Sequence, residues 1–282
     1  MKKTISLLLI LLLLTGCYPV SGDVAGISFR YDLAWSRNNA ETGKPYEDAS
    51  YAAGNVFVVA DGVSRDDSEY YGMEDESPAS YAAGRAAALV GRVLSFSSRP
   101  DTAALAAFRR ASASVGRYNR FAGLTIPAAS SYVSAVLKDG SLYYSYIGDN
   151  HLMLIRDGKA TEFCEKQTDP VHAAGGAAGL GMTREEYYRE VVNCVREDGL
   201  GYGVVTGEAR AEKFLRTGSF PLQAGDRVIL SSDGLDTCFK HADIQQLAKL
   251  SAKEILDISR PYDEAPYGSY AHDKTLIVID IL

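Results

Sequence analysis

The stretch that most limits what this chain can become is residues 56–63, Val-Phe-Val-Val-Ala-Asp-Gly-Val. Consecutive apolar residues, most of them β-branched or aromatic, predict a strand buried on both faces. The run ends in Asp61-Gly62, where glycine eases a turn and a carboxylate leaves the core. The same event recurs where Val228-Ile229-Leu230 runs into Ser231-Ser232-Asp233-Gly234-Leu235, and Asp273 stands just ahead of the apolar run 276–279. One Asp-Gly alone predicts only a turn, as at Asp139-Gly140, Asp157-Gly158 and Asp198-Gly199. Acids at the ends of separate strand-like runs imply more. Carboxylates gathered in one place repel one another unless a hard divalent cation lies among them.

The N-terminus is set aside before any fold reasoning. Lys2 and Lys3 precede an apolar core at residues 7–14, followed by Leu14-Thr15-Gly16-Cys17. That core is too short to span a bilayer, which takes about 20 residues. It reads as a signal peptide over 1–17, and its last residues resemble a bacterial lipobox in which Cys17 receives the lipid. Residues 18–26 then read as a tether and 27–282 as a single domain, exported and held at a membrane on its extracytoplasmic side. The net charge of −7 and the lack of any basic run argue against a nucleic-acid partner. Cys164, Cys194 and Cys238 permit at most one internal bridge, and their spacing matches no zinc site.

Residues 27–35 alternate as a strand, 36–50 form a polar loop through Gly43-Lys44-Pro45, and 51–53 form a second short strand. Residues 65–78, with six acids and two tyrosines, read as a surface loop. A helix is predicted over 79–98, with Tyr81, Ala88, Leu89 and Val93 sharing a face. Another is predicted over 102–120, capped by Asp101, with Leu105, Phe108, Ala111 and Val115 inside. Strands at 131–137, 142–147 and 152–156 suggest an antiparallel meander with Gly148-Asp149-Asn150 as its middle turn. Residues 168–182 read as a loop and 183–196 as a helix with a Thr183/Glu186 capping box. A strand at 202–206, one from Arg227, a helix within 241–256 and a strand at 275–281 complete the pattern. Hairpins outnumber strand-helix-strand units, which predicts an α+β fold of antiparallel sheet with helices outside.

In this order the motifs resemble the metal-dependent Ser/Thr protein phosphatases of the PPM, or type 2C, family. Glu47-Asp48-Ala49 resembles the family's Glu-Asp-Ala segment, and residues 58–63 its Val-Ala-Asp-Gly strand end. Ile147-Gly148-Asp149-Asn150 resembles its Gly-Asp-Ser hairpin, residues 225–235 its most recognisable signature, and Asp273 its Asp-Asn element. The resemblance implies a four-layer α-β-β-α sandwich, two antiparallel sheets face to face with helices on both outer faces. It also implies two Mn²⁺ or Mg²⁺ ions in a cleft at one end. Carried over by position, Asp61 bridges both ions, Asp233 and Asp273 hold one, and Glu47 and the Gly62 carbonyl hold the other. Asp48 orients a metal-bound water, and Asp149 matches a position that helps hold a weaker third ion. The implied reaction is hydrolysis of phosphoserine or phosphothreonine in a protein by a hydroxide bridging the two metals. The domain is expected to act as a monomer on a phosphoprotein.

No His-Glu-x-x-His, Gly-x-Ser-x-Gly or Walker loop competes with this reading. The chain departs from the family pattern at Gly43, where a phosphate-binding arginine is usual, with Arg37 and Lys44 as the nearby cations. It departs again at Asp236, an acid one residue early that is expected to cap a helix, and at Lys274, which replaces asparagine and must turn away from any metals. His272 adjoins Asp273 as a candidate general acid. The alternative function is a binding or sensor module of the same fold with an impaired site.

Overall fold

The computed structural model describes residues 20–24, 26–37, 45–63, 76–263 and 272–282. The leader over 1–17 with Cys17, and Gly43 and Lys44, lie outside the described residues, as does most of the acidic 65–78 loop. In chain order the strands are β1 (Val20–Val24), β2 (Ile27–Ser36), β3 (Asp48–Ala53) and β4 (Val56–Gly62). Helices α1 (Pro78–Ser95) and α2 (Pro100–Ala122) follow, then β5 (Ser130–Lys138), β6 (Ser141–Ile147), β7 (His151–Arg156) and β8 (Lys159–Glu162). Three short helices, α3 (Asp169–Ala173), α4 (Gly176–Gly179) and α5 (Arg184–Glu190), precede β9 (Arg216–Pro221) and β10 (Arg227–Ser231). The chain closes with α6 (Asp236–His241), α7 (Ile244–Leu247), α8 (Ala252–Ser259) and β11 (Lys274–Ile281).

The strands form two antiparallel sheets, one ordered β1-β2-β11-β10-β7-β8 and the other β3-β4-β5-β6-β9. Alternation along each central strand creates the layers. In β4, Phe57 and Val59 face the other sheet, while Val56, Val58 and Ala60 face α1 and α2. In β11, Ile277 and Ile279 face between the sheets, while Leu276 and Val278 pack under α6 to α8. Central strands are therefore buried on both sides, and the α-β-β-α sandwich is the observed fold.

Several elements differ from expectation. Residues 20–24 of the expected tether pair with β2 as an edge strand. The buried face of α1 is Ala79, Ala82, Ala83, Ala86, Ala87, Val90 and Leu94, not the one centred on Ala88, which is exposed. Small side chains let this helix lie close on β4, and the bulkier Tyr81, Leu89 and Val93 fall at its flanks. Helix α2 begins at Pro100, whose missing N–H costs nothing in a first turn, so Asp101 is not the cap. Leu105 is exposed, whereas Phe108, Ala111 and Val115 are buried.

The expected meander breaks at Gly148-Asp149-Asn150. Strand β6 belongs to one sheet and β7 to the other, so this turn carries the chain across the sandwich. Gly148 takes a φ of 92°, and a Cβ there would sit 2.4 Å from that of Ser131. The capping box at Thr183 and Glu186 forms, but α5 ends at Glu190, because the chain then turns Val191 and Val192 into a small core with Tyr202. Residues 202–206 make only single bridges, Ser130 with Val205 and Val192 with Tyr202, and the 168–182 loop contains α3 and α4.

Candidate metal centre

The alternation that builds the inter-sheet core also delivers the acids to its rim. Asp48 and Asp61 are direct cross-strand partners on β3 and β4. Counting in twos from Phe57 and Val59 places Asp61 on the inter-sheet face. The same count from Ile277 places Thr275 and Asp273 there, and from Leu230 it places Ser232. Asp233 follows as the first residue of a tight 3₁₀ turn. Asp149 sits on the crossover, where Asn150 donates to the Ser131 hydroxyl at 2.7 Å, and Ser131 is the β5 partner of Asp61.

Asp48, Asp273 and Glu47 are held by neighbours. The Ser232 hydroxyl donates to Asp48 Oδ2 at 2.7 Å and accepts from the Thr275 amide at 3.0 Å. The Glu47 amide donates to Asp273 Oδ2 at 2.8 Å, and Glu47 Oε1 accepts from the Ser77 hydroxyl at 2.6 Å. Ser77 is also the N-cap of α1, so this carboxylate lies at a helix N-terminus, where the backbone favours negative charge. The Gly62 amide donates to the Glu47 carbonyl at 3.0 Å. A Cβ on Gly62 would come within 2.7 Å of that oxygen and 2.6 Å of the Ala79 carbonyl, so only glycine fits. Tyr46 closes one side, its hydroxyl against Thr275 Oγ1 and its ring 5.1 Å from that of Trp35.

The electrostatics are those of acids crowded together and removed from water. Removal from water, then the charges of Asp233, Asp48 and Asp149, push the Asp61 carboxyl well above the usual range. Asp233 is the largest of these neighbouring charges on Asp61, so the two carboxylates crowd each other. Burial, with Asp273 and Asp233 nearby, raises Asp48 to about 7 against the opposing Ser232 bond. Burial and Asp233 raise Asp149 to about 7, while Thr168 and Lys166 pull the other way.

The donor set suits hard cations, being carboxylate and carbonyl oxygens only. Among the described residues, however, no three His, Cys, Asp or Glu side chains already form a group able to hold a metal ion. Their carboxylates are instead turned onto Ser77, Ser232, the Glu47 amide and one another.

The departures at Lys274 and Asp236 resolve in the structure, while Gly43 lies outside the described residues. Lys274 points to the outer face with Leu276, donating to Ser259 Oγ at 2.9 Å and Asp263 Oδ2 at 2.7 Å. Asp236 starts α6 but does not cap it, because Oδ1 accepts from His151 Nε2 at 2.5 Å and lies against Lys166 Nζ. Arg37 is exposed just beyond β2, and His272 is half-buried beside Asp273. Sequence reasoning missed Tyr46, Ser77, Ser232, His151 and Lys166. Only Ser77 carried a signal, a serine before a proline at a helix start. The three described cysteines are free thiols.

A sandwich of this architecture defines a class. The fold is that of the PPM-type Ser/Thr phosphatases, although no family model matches the chain and no curated protein matches it. Among solved structures, it resembles the catalytic domain of the phosphatase PstP in complex with two manganese ions, at a TM-score of 0.65 and 19% identity over 91% of this chain and 99% of that one. The Mycobacterium tuberculosis PstP/Ppp structure gives 0.63 and 19% over 90% and 98%. PppA of Pseudomonas aeruginosa, described as a key regulatory component of T6SS, gives 0.63 and 16% over 93% and 100%.

Proposed function

We propose that this chain is a metal-dependent phosphoprotein phosphatase acting on phosphoserine and phosphothreonine. The observation that carries the reading is that the strand register brings Asp48, Asp61 and Asp273 to one end of the inter-sheet face, with Glu47 bonded to Asp273 and Asp233 on the turn that follows β10. Asp61 would bridge two divalent ions, Mn²⁺ or Mg²⁺. Asp233 and Asp273 would hold one, and Glu47 and the Gly62 carbonyl the other. Two such ions supply Lewis acidity, making hydroxide available near neutral pH and drawing charge from the phosphoryl oxygens. Asp48, fixed by Ser232, orients and accepts a proton from the attacking water. Ser77, at the N-terminus of α1, holds the Glu47 carboxylate in place at the centre's edge.

Residues 1–17 support export and lipid attachment at Cys17, so the substrate would meet the domain outside the cytosol, already phosphorylated. Among the described residues no helix is long and apolar enough to cross a membrane. Mass spectrometry of the mature N-terminus tests the anchor: an unmodified Cys17 with its leader attached would refute it.

The lack of a ready three-ligand group among the described residues favours a second reading, an impaired site serving as a membrane-held binding module. Hydrolysis of an aryl phosphate with Mn²⁺ separates the two. The enzyme reading expects metal-dependent turnover that falls at least about 100-fold in Asp233→Asn, the loss typical of removing one strong electrostatic group. Equal, near-zero rates for both proteins would support the binding module.

A further inference from the structure

The inter-sheet face of β2 continues past the point where its packing stops. Ile27 and Phe29 are buried in the core between the sheets, and Tyr31 and Leu33 pack against it. Counting on in twos puts Trp35, the chain's one tryptophan, on the same face. Yet Trp35 is 58% exposed, one step past Leu33 at the end of the strand that carries the acids. Its partner across the strand pair is Thr275, two residues from Asp273. The Thr275 amide donates to Ser232 Oγ at 3.0 Å, its carbonyl accepts from the Ser232 amide at 3.0 Å, and the Ser232 hydroxyl holds Asp48 at 2.7 Å. Tyr46, the residue before Glu47, sets its hydroxyl against Thr275 Oγ1 and its ring 5.1 Å from the indole, tilted by 43°. A strand register and a ring contact thus fix the indole at the lip of the candidate centre. Leaving most of an indole in water gives up stabilisation that burial would supply. A rigid aromatic ring, with two rotatable bonds to order, is also the kind of side chain that anchors bound chains.

Building on the phosphatase reading above, we propose that Trp35, propped by Tyr46, is a platform for an apolar side chain flanking the phosphorylated residue, and so sets a sequence preference in the phosphoproteins this site accepts. A phosphorylated side chain that reaches the acids lays its own backbone across the lip, and the residues on either side of it pass close to the indole. A flat apolar side chain resting on that ring takes apolar surface of both partners out of water, a gain that glycine at the same position cannot give. The contact does not involve the phosphoryl group, so it strengthens binding without altering the chemical step.

The test uses the mature protein with Mn²⁺ and two phosphothreonine peptides that differ only in their flanking residues, phenylalanine in one and glycine in the other. Wild type is expected to favour the phenylalanine peptide by about tenfold in kcat/KM, the scale of one well-placed aromatic contact, and to do so through KM. Trp35→Ala should bring the two peptides level, and Trp35→Phe should keep most of the preference. Because the chain has one tryptophan, its emission reports on the platform directly. A phosphonate analogue of the phenylalanine peptide should shift that emission to shorter wavelength, and the glycine analogue should leave it in place. Equal kcat/KM for the two peptides in active wild type overturns the proposal and leaves the phosphatase reading standing. So does a preference that persists in a Trp35→Ala protein shown by circular dichroism to be folded, or a kcat that falls alike on both peptides in that variant, which would make the indole a structural prop. Wild type that hydrolyses neither peptide overturns both.

Discussion

Lys274 shows how position within a strand decides what a charge can do. It is 1% exposed and next in sequence to Asp273, yet its ammonium is on the opposite face, neutralised by Asp263 and Ser259. Lys274→Met should cost about 3 kcal/mol of stability, the price of leaving Asp263 without its partner. Its affinity for Mn²⁺ should stay at the wild-type value; tighter binding in a calorimetric titration would mean that the lysine repels the metals after all. The acids of the centre make a second prediction at this scale. Asp48 and Asp149 are raised to about 7 and Asp61 well above its usual range, so the fold binds their protons more tightly than the unfolded chain, where a carboxyl titrates at about 3.9. Stability from raised carboxyls is complete below about pH 4 and is lost as pH climbs through about 7. The metal-free domain should therefore melt at falling temperature between about pH 5 and pH 8, and Mn²⁺ should restore the melting temperature at the upper end. A midpoint that rises with pH over that window would contradict this account.

Among the elements, α1 has the most direct tie to the centre. Its cap, Ser77, accepts from the Ser80 amide at 3.1 Å and donates to Glu47 at 2.6 Å, so one hydroxyl starts a helix and steadies a candidate ligand. Ser77→Ala should lower stability by about 1 kcal/mol and weaken Mn²⁺ binding as well. Asp101 has no such part in α2, where its contact is an exposed pair with Arg99 at 3.3 Å. Asp101→Ala should melt at close to the wild-type temperature. Equal losses from the two alanines in thermal melts would show that the cap at Ser77 carries no special weight. The sequence marked α1 and α2 because their periodicity is local, though it missed that each begins at a proline. It misjudged the buried face of α1, because the choice between alanines and larger residues depends on how close the facing sheet comes.

At the scale of the whole molecule, the two sheets are joined by one core, and the candidate centre sits at its edge. Phe57 is fully buried there, its ring 4.9 Å from Tyr31 and 6.0 Å from Phe29 in edge contacts. Phe57→Ala should cost about 3–5 kcal/mol and melt in a single transition. A loss below about 1.5 kcal/mol, or two separate transitions, would mean that the sheets do not fold as one unit.

The strands, their faces and the acids at their ends were legible in the sequence, because alternation and turn chemistry are properties of neighbouring residues. From them followed antiparallel sheet with helices outside, and Asp61, Asp233 and Asp273 as candidates; the four-layer sandwich and Glu47, Asp48 and Asp149 came from the resemblance to the PPM family. Which sheet each strand joins was not legible, since a three-residue turn such as Gly148-Asp149-Asn150 serves a hairpin or a crossing equally well. Nor could spacing reveal that Lys166, His151 and Asp236 share one cluster, or that Ser77 meets Glu47. Those contacts join segments far apart along the chain, and only the pairing of β7 with β10 and the packing of α1 on β3 and β4 bring them within a hydrogen bond of each other.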